Sequence, residues 1–338
     1  MPAPAPAPLE TTSAPQPEYR AAPSLLRAVT ELTIQEYLLL FYALLMWVAA
    51  VQGSGVYWNF CLSFTSGAML VLVTMLMLVR TGRIARGLGG ALAYRAVVCL
   101  YPIAMYLILR ELLPTATNGN LDEQLYQLDL RLLGFEPTLW TDQFITPFTV
   151  SWFSFFYYSY FWFLAVHVFP MLFARMELQA SFALTVLSVM CFGHLLYLVV
   201  PGYGPITHLA DKFPHHDFPP GFWHDMVMDV VKSSGAMKDI FPSLHTAAPT
   251  VLALWCLRNR HLRPFKYTWP VSLFFAIQMI GATIFLRWHW LVDVIAGLAL
   301  AFFSVWAGPK FAAWELKRRD RLGQTRAWPE LVWPWQSA

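Results

Sequence analysis

The chain has 338 residues, of which 57% are hydrophobic, 16% aromatic and only 13% charged, with a mean hydropathy of +0.49. A soluble domain carries roughly 25% charged residues, so this chain cannot cover a water-facing surface and belongs in lipid. Its net charge of +3 is small, and no nucleic-acid partner is expected. The four cysteines, Cys61, Cys99, Cys191 and Cys256, all fall inside apolar runs. They are too scattered for a metal site and too buried for a disulfide framework, so they read as small packing residues.

From Met1 to about Pro23 the chain is rich in Pro and Ala without an apolar core, and residues 1–28 are expected to be a disordered tail. Apolar runs of about 20 residues can cross a bilayer as helices. Eight such spans are expected, at about 34–54, 57–79, 91–111, 147–173, 181–201, 244–258, 267–286 and 289–307, in an all-α polytopic bundle. Between the third and fourth lies a non-spanning stretch. Asn120 and Glu123 have the spacing of a capping box, and Leu121, Leu125, Leu128 and Leu132 share one helical face until Gly134 and Pro137 end the pattern. This reads either as an amphipathic helix on the membrane surface or as a helix packed on the loops.

With the N-terminus placed in the cytoplasm, sixteen Lys and Arg fall in cytoplasmic segments and six outside, alternating loop by loop. Both termini are then cytoplasmic, in the cytoplasmic membrane or an equivalent. Trp328, Trp333 and Trp335 of the basic C-terminal tail are candidate interfacial anchors.

Two stretches on the extracytoplasmic side carry the candidate chemistry. Phe241-Pro242-Ser243-Leu244-His245 stands at the mouth of the sixth span, with Ser243 as a good N-cap. His245 then lies in a first helical turn, among unpaired amides that favour an anion. In His289-Trp290-Leu291-Val292-Asp293, the histidine and the aspartate are four apart and share a helical face. Asp293 can orient His289 by accepting from one ring nitrogen, freeing the other to attack or to take a proton. A His–Asp pair that merely locks two helices is the competing reading; two histidine stretches on one membrane face favour chemistry. The loop 202–241 is rich in Gly, Pro, His and Asp and reads as a polar lid. Its Asp211, His215, His216, Asp217, His224 and Asp225 lack a sharp metal-binding spacing. Tyr157, Tyr158, Tyr160 and Trp162 read as packing or interfacial aromatics.

Pro242-Ser243-Leu244-His245 and His289-x-x-x-Asp293 resemble, in type, order and spacing, the second and third motifs of the type 2 phosphatidic acid phosphatase superfamily. The resemblance covers about 91–307, a six-helix catalytic domain, with 29–90 as two accessory helices and 308–338 as a basic cytoplasmic tail. Leu244 replaces the usual glycine. With Leu128-Asp129-Leu130-Arg131-Leu132-Leu133-Gly134-Phe135-Glu136-Pro137 and the aromatics at 157–160, this is similar to the inositolphosphotransferase branch, the inositol phosphorylceramide synthases and their bacterial relatives. The first phosphatase motif is absent; Val200-Pro201-Gly202-Tyr203-Gly204-Pro205 holds its place, and Thr283 stands where the third motif normally has arginine.

What the resemblance implies is a phosphotransferase that moves a phospho-headgroup between lipid or polyol hydroxyls. His289 attacks phosphorus and becomes a phosphohistidine, Asp293 orients it, and His245 protonates the leaving alcohol and then activates the acceptor. Ser243, Arg287 and Lys238 are the expected phosphate contacts, although for Lys238 a solvated loop lysine is the stronger reading. The substrate is a phospholipid or other lipid phosphate, and neither cofactor nor metal is required. The alternatives are a lipid phosphate phosphatase of the phosphatidic acid or polyprenyl phosphate type, and a non-catalytic lipid transporter.

Overall fold

Long apolar stretches must satisfy their own backbone hydrogen bonds in lipid, and helix does so within one segment. The computed structural model describes residues 25–84 and 87–331, and among these the elements are helical apart from one isolated bridge between Gly202 and Asp239. In chain order they are α1 (Leu25–Thr30), α2 (Ile34–Gln52), α3 (Trp58–Arg80), α4 (Leu88–Ala116), α5 (Asp122–Leu133), α6 (Pro137–Thr141), α7 (Pro147–Tyr158), α8 (Tyr160–Met171), α9 (Met176–Val199), α10 (Pro205–His208), α11 (Phe222–Ser234), α12 (Leu244–Arg258), α13 (Phe265–Phe285) and α14 (Leu291–Leu322). Short 3-10 turns cover Asp142–Phe144 and Ala210–Lys212.

Six helices, α2, α3, α4, α9, α13 and α14, are long and apolar enough to cross a membrane. The other two expected spans take different forms. The run at 147–173 is divided at Ser159 into α7 and α8, and α12 has 15 residues, about 22 Å of helix against a hydrocarbon core of about 30 Å. α12 is enclosed by α8, α9, α13 and α14, so nearly all of it is buried, and Ala247, Ala248 and Ala253 let its neighbours approach.

α14 runs on to Leu322, so residues 308–322 of the expected tail continue a helix. At about 48 Å it outlasts the hydrocarbon core, and its end is tied to the first helices. Arg319 bonds Glu315 at 2.7 Å and the Glu31 carbonyl at 2.6 Å, and Arg80 pairs with Glu36 at 2.9 Å. These arginines are therefore not free to face lipid headgroups. Trp328 is no interfacial anchor either: it is buried and packs edge-on against Tyr94. Trp333, Trp335 and most of the expected disordered tail lie outside the described residues.

α14 meets α9 and α12 along a face of small residues, Gly297, Ala301, Ser304, Gly308 and Ala312. Small residues are what allow membrane helices to pack backbone to backbone. A Cβ on Gly308 would lie 2.3 Å from Thr185 Oγ1 and 2.8 Å from Thr185 Cα. Gly308→Ala is therefore expected to cost about 1–3 kcal/mol, the range for overpacking, read as a lowered melting temperature in detergent. An unchanged melting temperature would mean that this crossing is loose.

Candidate active site

Ser243 begins α12 as its N-cap: its Oγ accepts from the Thr246 N–H at 3.2 Å, and its own N–H donates to the Asp293 carbonyl at 3.0 Å. Gly297 makes that contact possible, because a Cβ there would sit 2.5 Å from the Ser243 carbonyl oxygen. The starts of α12 and α14 are thus joined backbone to backbone. The imidazoles of His245 and His289 meet with centroids 5.9 Å apart. Reacting atoms stand about 3–3.5 Å apart before bond formation, so one phosphoryl group fits between two groups so placed.

His245 is held by aromatics. Tyr157 stacks on it at 4.5 Å and 19°, and Tyr160 lies at 4.5 Å. Leu244, in the place of the usual glycine, is buried against Gly193 of α9, where a Cβ would come within 2.5 Å of it. His289 Nδ1 lies 3.5 Å from Asp293 Oδ2, beyond hydrogen-bond range. That oxygen accepts instead from the Trp290 N–H at 2.9 Å. His289 sits in the turn before α14. Burial holds its pKa down to about 4, against the opposing pull of Asp239 and the Ile240 carbonyl, so it is a neutral imidazole at physiological pH, the form that can attack.

Two cavities meet at this point. An outer one of about 430 Å³ is lined by His289, Trp288, Tyr203 and residues of α11, and an inner one of about 340 Å³ runs between α4, α8, α9 and α12. Tyr106, Phe161, Asp239 and His245 line both.

Ser243, Arg287 and Lys238 line neither cavity. The Ser243 hydroxyl is engaged in the cap. The Arg287 guanidinium is buried, bonds Asp142 and the His215 carbonyl, and lies 3.9 Å from the Phe213 ring centroid. There it ties the 205–221 loop to the start of the fourth apolar run. Lys238 Nζ reaches the carbonyls of Thr117 and Gly119. Of the loop's other polar residues, His215 bonds Asp142 at 2.7 Å and His224 packs against Phe218.

A family model described as the PAP2 superfamily matches residues 123–307, more than half of the chain. The chain belongs to the PAP2 superfamily. Membership points to lipid phosphatase or phosphotransferase chemistry. Searches among curated proteins and among solved structures find no match.

Three carboxylates of this PAP2 protein were not singled out from the sequence as site residues. Asp129 accepts from the N–H groups of Leu291 and Val292 at 2.6 and 2.8 Å, and so caps α14 from α5. Asp122, also on α5, accepts from the N–H groups of Tyr203 and Gly204 at 2.8 Å and from Trp290 Nε1 at 3.2 Å. α5 is thus a helix packed on the loops, with Leu128 and Leu132 exposed; its N-cap is Leu121, and Asn120 Oδ1 takes only the Asp122 N–H. The sequence signal was an aspartate inside a leucine-rich helix. Asp239 is the third. It stands where the cavities join, its carboxylate accepts from its own backbone N–H, and burial pushes it above the usual carboxylate range while His289 pulls it back. Beside Lys238 in sequence, nothing separates it from a solvated pair.

Burial raises the Asp129 carboxyl to about 6, against its two backbone hydrogen bonds. An unfolded aspartate titrates near ~3.9. Between these values the folded protein binds the extra proton, so this group's contribution to stability falls as pH rises from about 4 to about 6. The wild-type melting temperature should therefore fall relative to that of Asp129→Asn over this window. Parallel melting curves would contradict the assignment.

Proposed function

We propose that the protein is a lipid phosphotransferase that moves a phospho-headgroup from a lipid donor to a lipid or polyol hydroxyl through His289. Its supporting observation is the meeting of His245 and His289 at 5.9 Å on the seam between a mainly apolar cavity and a more polar one. His289 attacks phosphorus, forming the N–P bond as the P–O bond to the leaving alcohol breaks, and His245, which takes up a proton as the anionic donor binds beside it, supplies that alcohol's proton. The acceptor hydroxyl then gives its proton to His245 and attacks, and the N–P bond breaks. Asp293, 3.5 Å behind the His289 ring and not hydrogen-bonded to it, stabilises the positive charge that the ring gains when it bonds to phosphorus.

The charge around the site favours transfer over simple hydrolysis. At the histidine end no Lys or Arg lines either cavity. The N–H groups of α14 at Trp290, Leu291 and Val292 are taken by Asp293 and Asp129. At the start of α12 the Leu244 N–H faces the Tyr197 hydroxyl, whereas that of His245 makes no backbone hydrogen bond among the described residues and can receive an anion. A phosphate monoester carries about −1.5 to −2 charges at pH 7, which this site compensates poorly, whereas a phosphodiester headgroup carries one. Asp239 would repel a second negative charge but accepts hydrogen bonds from hydroxyls, as an acceptor polyol requires. We place the site extracytoplasmic, with both termini cytoplasmic and eight membrane crossings, on the loop-by-loop alternation of Lys and Arg.

The test uses the full chain in detergent with a headgroup-labelled phosphodiester lipid and a long-chain alcohol or polyol acceptor. Headgroup transfer should exceed release of inorganic phosphate from lipid monoesters. His289→Ala should lower turnover at least about a thousandfold. Asp239→Asn should raise KM for the acceptor more than KM for the donor. Faster phosphate release from monoesters than transfer would make the protein a phosphatase; equal activity of wild type and His289→Ala would end the enzymatic reading.

A further inference from the structure

The inner cavity does not end as it begins. Its walls are mainly apolar side chains of α4, α8, α9 and α12, with the buried His194 among them, and at the end away from the histidines it is bounded by Arg95, Gln179 and Trp328. Along α9 it reaches from Tyr197 to Gln179, about 27 Å at 1.5 Å per residue, close to the full hydrocarbon thickness of about 30 Å.

That far end is polar and unsatisfied. Arg95, Gln179 and Trp328 are each 2–3% exposed. Arg95 donates to the carbonyls of Leu172 and Pro329, and among the described residues no carboxylate pairs with it. Arg95 Nε, both amide atoms of Gln179 and Trp328 Nε1 have no hydrogen-bond partner there. A buried polar atom left unpaired costs about 1–3 kcal/mol, and a buried cation without a counter-charge costs more. Trp328 is kept in place by the strap before Pro329, whose carbonyls at Arg326 and Ala327 accept from Arg80 at 2.8 and 2.9 Å. The arrangement is a cation and two neutral polar side chains closing one end of a mainly apolar channel.

We propose that this cavity binds a single-chain anionic amphiphile. Its carboxylate or phosphate sits on Arg95, Gln179 and Trp328, and its chain runs along α9 towards His245. The head-binding end is distinct from the histidine centre, which the chain end approaches at His245, and the ligand lies with its head at the opposite end from that of a substrate.

Photoreactive hexadecanoate and hexadecyl phosphate, each made with the diazirine either beside the head or at the chain end, test this on the full chain in neutral detergent. Photoreactive hexadecanol is the uncharged control, and crosslinked peptides are mapped by mass spectrometry. The head-proximal hexadecanoate label is expected on peptides containing residues 95, 179 or 328, and the chain-end label within 239–248. The relative yields of the two acids identify the head class. Arg95→Gln should weaken labelling about tenfold, the loss of a charged hydrogen bond. Because Arg95 also holds two carbonyls and its variant could unfold, Gln179→Leu is the second variant; it removes an amide with no partner, should retain the melting temperature, and should weaken labelling severalfold. Equal labelling by hexadecanol, a hexadecanoate head that labels 239–248, or unchanged labelling in Gln179→Leu would overturn the proposal. The readout is binding, so it holds independently of turnover.

Discussion

The hydrogen bond from the Ser243 N–H to the Asp293 carbonyl, 3.0 Å long, is the contact on which the site depends. It joins two helix starts that are fifty residues apart in sequence. It forms only because Gly297 leaves room for the Ser243 carbonyl. His245 stands two residues beyond this bond on one side, and His289 four residues before it on the other. Their 5.9 Å separation rests on this join, with the His245 ring held by Tyr157 and Tyr160. The aspartates of α5 then fix the remaining loops: Asp129 holds the start of α14, and Asp122 holds the turn at Tyr203 and Gly204.

The same arrangement sets the electrostatics. Carboxylates of the protein occupy the amides at the start of α14, which leaves the start of α12, beside His245, for the anion of the proposed reaction. The two long cations closest to the motifs in sequence act as struts, Arg287 under the 205–221 loop and Lys238 against the end of α4. With Asp239 at the junction of the cavities, the site is unusually poor in positive charge for phosphoryl chemistry. Such chemistry rests largely on electrostatic stabilisation and positioning. A neutral His289, a singly charged headgroup and a hydroxyl acceptor are mutually consistent in that field.

Features encoded locally were readable from the sequence. The serine cap before His245, the i,i+4 spacing of His289 and Asp293, and the six long apolar helices each depend on a few neighbouring residues. Features that require chain ends to meet were not. Asp129 caps a helix some 160 residues away, and no local pattern says so. The direction of a long side chain is likewise not a property of its neighbours in sequence, which is why Arg287 and Lys238 point away from the cavities. The break at Ser159 carries neither Gly nor Pro to mark it. The Lys/Arg count treated Arg80 and Arg319 as surface charges, although both are buried in ion pairs.

The central claim is that the joined helix starts bring two imidazoles to one phosphorus, with His289 as the atom that bonds to it. Rapid quenching of a single turnover with a phosphate-labelled donor lipid, followed by mass spectrometry of the protein, tests this most directly. The phospho-headgroup is expected on the peptide containing residue 289, formed before the acceptor is modified and lost when acceptor is added. Label on another residue, or complete headgroup transfer with no labelled protein at any time point, would contradict it.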